Sequence, residues 1–203
     1  MSSLTFACAH QLAQMIRDSE ALLLAADRQV SAVEVFDAYL AQIYKHNSKL
    51  NAICTLDEDN ARARAKLADE ALSRGEHWGA LHGVPVTIKD IFETAGLRTT
   101  AGYIPLKDYI PQQDATVVAR LRAAGAIILG KTNMAELAGD FQSTNSLFPR
   151  VNNPWNLDYT AGGSSGGSPA ATAAGLSPLD LGNDAEQGSV LKSELSCCFL
   201  RLG

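Results

Sequence analysis

Basic residues are in short supply in this chain: 17 Lys and Arg stand against 22 Asp and Glu, a formal net charge of −5. That balance removes the electrostatic attraction by which nucleic acid or an anionic membrane is usually held. Long apolar runs are missing too, since none approaches the roughly 18 residues that cross a bilayer. The start of the chain, MSSLTFACAHQLAQMIRDSE, lacks the basic opening and apolar stretch of a secretory leader, so a cytoplasmic protein is expected. Cysteine is confined to Cys8, Cys54, Cys197 and Cys198. With no CxxC spacing and no His-rich surroundings, neither a zinc site nor a disulfide framework is expected. Histidine is limited to His10, His46, His77 and His82, each at a helix end or in a polar connection, which leaves little from which to build a Ser-His-Asp arrangement.

What is abundant is ordinary core material. Hydrophobic residues make up 46% of the 203 and charged residues 19%, the composition of a globular chain of one domain or somewhat more. Ser31 and Glu34 form a capping box, and Val35, Phe36, Tyr39, Leu40 and Ile43 recur at helical spacing to give one buried face. A second amphipathic helix runs through NARARAKLADEALSRG and is expected to end at Gly75, making a helical hairpin with the first. The pattern then changes. GVPVTIKDIF (83–92) is β-rich and nearly continuous in apolar content, as a buried strand would be. DATVVARLRAAG reads as a short helix closed by Gly125, and AIILG as another buried strand. Strand, helix and strand with short links predict a βαβ unit with parallel pairing, hence an α/β fold. Asn133 is expected to cap a further helix in TNMAEL, with Glu136 at its third position.

The stretch TAGGSSGGSPAATAAG (160–175) carries the chemical question. A flexible linker would stay polar, whereas here Pro169 suits the first turn of a helix that AATAAG carries to Gly175. The glycine–serine loop therefore feeds a helix N-terminus, where unpaired N–H groups favour negative charge. A phosphate cradle is one reading, although no Walker Lys-Ser/Thr pair and no GxGxxG accompanies it. The other is support for a nucleophilic serine, which needs a base. Lys89 is the candidate, because it interrupts an apolar strand where an unpaired ammonium is costly. Desolvation and a nearby cation bring a lysine pKa toward neutrality. The simpler alternative for Lys89 is an ion pair with Asp90 or Asp140.

Four motifs, LHGVPVTIKD, GKTNMAE, NPWN and GGSSGGSPAATAAGLSPLDLGND, stand in an order and spacing that resemble the amidase signature family over residues 13–184. The resemblance implies a mixed sheet wrapped by helices, with residues 1–203 as an incomplete amidase domain and 185–203 as an atypical tail. It implies a Ser–Ser–Lys triad and no metal or cofactor. Lys89 matches the lysine base. Ser164 matches the bridging serine, whose peptide bond is cis in the family, and Gly162, Gly163, Ser165, Gly166 and Gly167 surround it. In the family's mechanism neutral lysine takes a proton from the bridging serine, which takes one from the nucleophilic serine. That serine attacks an amide carbonyl, and an acyl-enzyme forms and is hydrolysed. Backbone N–H groups just before the nucleophile hold the oxyanion, which puts Asp184 and Gly188 in the substrate loop. A small-molecule amide is the implied substrate, with no direct nucleic-acid contact.

The chain departs from the family where the nucleophile belongs. Family members carry Asp-x-Gly-Gly before it, then an Arg and a Pro-Ala pair; this chain reads NDAEQGSVLKSELSCCFLRLG (183–203). Counted in step from Ser164, the nucleophile falls on Gly188, and the serine comes one residue late at Ser189. Glu186 and Gln187 replace the Gly-Gly pair. Native divergence and a change of reading frame after Asp184 would both produce this segment. The family resemblance supports an amidase-type hydrolase that cleaves a carboxylic amide C–N bond, or the A-type subunit of a tRNA-dependent amidotransferase. The altered segment supports an inactive remnant or interaction module, which is the expectation for the activity of this particular chain. Family members run on for as long again or more. Strands such as AIILG would then lack neighbours, and self-association through an exposed sheet edge is expected; a monomer that unfolds cooperatively would contradict it.

Overall fold

The computed structural model describes residues 11–16, 30–183 and 199–200. Helix α1 (Ala32–Leu50) begins as its sequence requires. Ser31 Oγ accepts from Glu34 N–H at 3.1 Å, and the Glu34 carboxylate accepts from Ser31 N–H at 2.8 Å. The Asp69 carboxylate of helix α2 (Glu58–Ser73) takes the next two N–H groups, Ala32 at 2.7 Å and Val33 at 3.2 Å. A negative group therefore sits at the positive end of α1 and ties the helices together. The expected face of α1 is buried, and α2 meets it with small residues, Ala61, Ala65, Ala68 and Ala71. Gly75 ends α2 at φ +75°. Its N–H donates to Leu72 O while Glu76 N–H donates to Ala71 O, a closure that a left-handed glycine permits.

The two helices pack together, but no bare turn joins them. Asn51 reverses the chain at φ +54°, and the Asn47 amide accepts from Ile53 N–H at 2.9 Å and donates to Ile53 O at 2.8 Å. The released segment forms strand β1 (Ile53–Leu56). The run ICTL is too short to display a period, which is why pattern reading passes over it.

Strands β2 (Pro85–Lys89) and β3 (Ile127–Thr132) flank helix α3 (Thr116–Ala123) and pair in parallel, as predicted. Strand β1 joins β3 antiparallel, while β4 (Asp180–Leu181) and β5 (Phe199–Leu200) extend the other side in parallel. The sheet is mixed, in the order β1-β3-β2-β4-β5. Every residue of β2 and β3 is buried, so these strands read as near-continuous apolar runs rather than alternating ones. Helix α4 (Gly167–Ala173) packs on β2, β3 and β4.

TNMAEL does not form the capped helix expected of it. The Asn133 side chain is buried, donating to Asn51 O at 3.1 Å and Pro149 O at 2.9 Å and accepting from Asn145 Nδ2 at 2.7 Å. Tying loops together leaves it no part in a helix start. Only a short 3-10 turn, Glu136–Ala138, follows, and Leu137 and Ala138 at φ +49° and +60° break it off.

Candidate active site

Strand β2 delivers Lys89 as its last residue, fully buried. Its Nζ donates to Ser164 Oγ at 2.7 Å and lies 3.4 Å from Asn183 O, which also accepts from Ser165 Oγ at 2.9 Å. The two carboxylates offered as simple partners for Lys89 are directed elsewhere. Asp90 accepts from Thr100, at 3.1 Å from its N–H and also from its hydroxyl. Asp140 accepts from Gln142 N–H at 3.1 Å.

The loop that presents Ser164 contains a cis Gly163–Ser164 peptide, with Gly162 at φ +84°. A Cβ at Gly163 would lie 2.8 Å from both Phe141 C and Gln142 N, so glycine is needed for the loop to lie against segment 140–142. The expected row of free N–H groups at the start of α4 is already in use. Gly166 N–H donates to Ser143 Oγ at 2.7 Å, Gly167 N–H to Asn133 O at 3.0 Å, and Ser168 N–H to Ser165 O at 3.0 Å. With its donors consumed internally, this turn does not provide the phosphate cradle that the sequence left open. Ser164 O accepts from Ala135 N–H at 2.9 Å, which fastens the loop from its other side.

Lys131 interrupts β3 as Lys89 interrupts β2, and it is equally buried. It is spent on a loop: Nζ donates to Phe92 O, to Thr94 Oγ1 at 3.0 Å and to Thr99 Oγ1 at 3.2 Å. Burial lowers its pKa to about 8 against the pull of Asp90. The sequence signal that marked Lys89 was therefore present at Lys131 as well, and only the partners separate the two. Ser143 carried no signal, being a polar residue in a polar loop, and Asn183 lies within the last of the four motifs but is given no role by it. His82 is structural: it is buried, its Nδ1 accepts from Trp78 N–H at 3.2 Å, and its Nε2 lies 3.1 Å from Ala68 O. Asp184, Gly188, Ser189 and His10 lie outside the described residues.

Asp180 of β4 is the anomaly beside this site. It is fully buried opposite Thr87. Burial raises its pKa, against the hydroxyls of Ser168, Thr87 and Thr132 and the charge of Lys131. Those hydroxyls surround the carboxyl, but none makes a well-formed hydrogen bond to either oxygen. An unsatisfied buried polar group costs about 1–3 kcal/mol, more than the small cavity left by its removal. Asp180→Ala is therefore expected to stabilise the fold by about 1–2 kcal/mol. Because the folded pKa is raised, the carboxyl's contribution is full below its unfolded value and is lost as pH rises through the folded one. Asp180→Asn, which cannot ionise, should remove that slope. Thermal melts of the three proteins between acid and neutral pH test both points, and identical Tm values and slopes would show that the carboxyl is satisfied.

A family model described as Amidase matches residues 34–191. The A-type subunit of a glutamyl-tRNA(Gln) amidotransferase from Alkaliphilus metalliredigens (strain QYMF) is 46% identical over 170 residues, 84% of this chain and 34% of that protein. The chain thus spans about a third of the length of the curated relatives it matches. Among solved structures, fatty acid amide hydrolase aligns with a TM-score of 0.80 at 26% identity, over 89% of this chain and 30% of that one. The structure of 6-aminohexanoate cyclic dimer hydrolase aligns with a TM-score of 0.75 at 32% identity, over 88% and 34%. The family match takes in most of the chain, including Lys89 and the whole Ser164 loop, and the chain belongs to the amidase family.

Proposed function

We propose that Lys89 and Ser164 are the base and proton relay of a site that cleaves a carboxylic amide C–N bond, with Ser189 as the candidate nucleophile. The observation that carries this reading is the 2.7 Å contact between Lys89 Nζ and Ser164 Oγ, made by a buried lysine. Neutral Lys89 takes the Ser164 proton as Ser164 takes that of the nucleophile. The nucleophile oxygen then bonds to the amide carbon and the carbonyl π pair moves onto oxygen. When the C–N bond breaks, the proton returns along the same path to the departing nitrogen, and water completes the cycle by hydrolysing the ester. Backbone N–H groups in the segment from Asp184 to Gly188 would hold the oxyanion. The chemistry calls for no metal or cofactor, and residues 13–184 supply the amidase-like part.

The relatives favour a second reading of the same chemistry. Their names make them A-type subunits of an amidotransferase acting on glutamyl-tRNA(Gln). In such an assembly the nitrogen freed from the amide donor would be handed on to a partner-bound acceptor rather than released.

The segment from Ala185 onward sets the expectation for the chain itself. Residues 1–203, offered simple aliphatic and aryl amides, are expected to turn over near background and to react poorly with a serine-directed fluorophosphonate. Stoichiometric labelling at Ser189 that Lys89→Ala abolishes would overturn the expected inactivity and support the relay. Labelling indifferent to Lys89→Ala would overturn the relay.

A further inference from the structure

We propose that Ser143 is a positioning residue that sets Ser164 against Lys89, an inference that takes its purpose, though not its geometry, from the amide-cleaving reading above. Ser143 is fully buried in the segment before the NPWN motif. Its hydroxyl donates to Ser164 C=O at 3.3 Å and accepts from Gly166 N–H at 2.7 Å. Its own N–H donates to Gly162 O at 2.9 Å, and its C=O accepts from Val151 N–H at 3.1 Å. A single residue therefore grips the loop on both sides of Ser164 while being anchored from behind.

The two hydroxyl contacts cannot be replaced by packing. One oxygen gives its proton to a carbonyl and accepts another from an amide, which Ser and Thr can do and Ala cannot. Removing it leaves the Gly166 N–H buried without its partner. It also frees one of the two holds on the Ser164 carbonyl, the other being Ala135 N–H at 2.9 Å. The loop then turns about Ser164, and the hydroxyl leaves Lys89. Lys131 has no part in this, because its partners are Phe92, Thr94 and Thr99.

Lys131 thus provides an internal control in residues 1–203 labelled with 15N-lysine. Both buried lysines should give side-chain N–H signals protected from solvent exchange, with Lys89 assigned by Lys89→Arg. In Ser143→Ala the Lys89 signal is expected to exchange at least about tenfold faster, while the Lys131 signal keeps its protection. Ser143→Thr should preserve both. Retention of Lys89 protection in Ser143→Ala, or loss of both signals together, would overturn the positioning role. Failure of the amide-cleaving reading appears elsewhere, as stoichiometric fluorophosphonate labelling at Ser189 that Lys89→Ala leaves unchanged.

Discussion

Restoring the family pattern in one segment, by Glu186→Gly, Gln187→Gly and Gly188→Ser together, is expected to raise fluorophosphonate labelling of residues 1–203 by about 10⁴-fold. The present sequence combines two defects. Its serine is one residue late, and a displacement of about 1 Å already costs roughly 10²-fold. In the reading proposed above, Glu186 and Gln187 also replace the Gly-Gly pair that would supply the oxyanion donors, and losing one such donor costs roughly 10²–10³-fold. Glu186 adds a negative charge close to where negative charge would develop. The triple substitution answers both defects and removes that charge while leaving Lys89 and Ser164 untouched. Labelling should map to position 188 by mass spectrometry and vanish on adding Lys89→Ala. A restored segment that stays inert would mean that the lysine–serine contact does not act as a proton relay in this chain.

Gly167→Ala is expected to destabilise the fold by about 3 kcal/mol, against the sign that helix propensity would give. Gly167 opens helix α4, where exchanging glycine for alanine should by itself gain up to about 1 kcal/mol. A Cβ there would lie 2.6 Å from Ala52 O and Asn133 N and would also press on Asn133 O. All three are backbone atoms, so no side chain can swing aside. The Gly167 N–H bond to Asn133 O at 3.0 Å is the contact that the methyl group would force apart. Ala52 leads into β1 and Asn133 follows β3, so the strain would reach the sheet as well as the Ser164 loop. Urea unfolding of the two proteins measures it. An unchanged or raised midpoint would mean that the three backbone segments do not converge at this point.

Local signals in the sequence were enough for a good part of this fold. The Ser31–Glu34 box, the left-handed glycine after α2 and the parallel β2–α3–β3 unit each depend on residues close together in the chain or on an apolar run long enough to reveal burial. Lys89 and the glycines around Ser164 were legible for a related reason: a charge in a buried strand and a dense cluster of glycines are both costly and so stand out.

Other features were settled only by partners far away in sequence. Strand β1 exists because Asn47 and Asn51 turn ICTL onto β3. Asn133 bonds to segments around positions 51, 145 and 149 instead of capping a helix. Lys89 and Lys131 look alike along the chain, and tertiary structure gives one a serine hydroxyl and the other a loop carbonyl. The start of α4 looks like an anion site until Ser143, Asn133 and Ser165 take its N–H groups. The physical reason is common to all four. A sequence states which groups must find hydrogen-bond partners once buried, but which partner each one meets is decided by how strands and loops that are distant in the chain come to lie side by side.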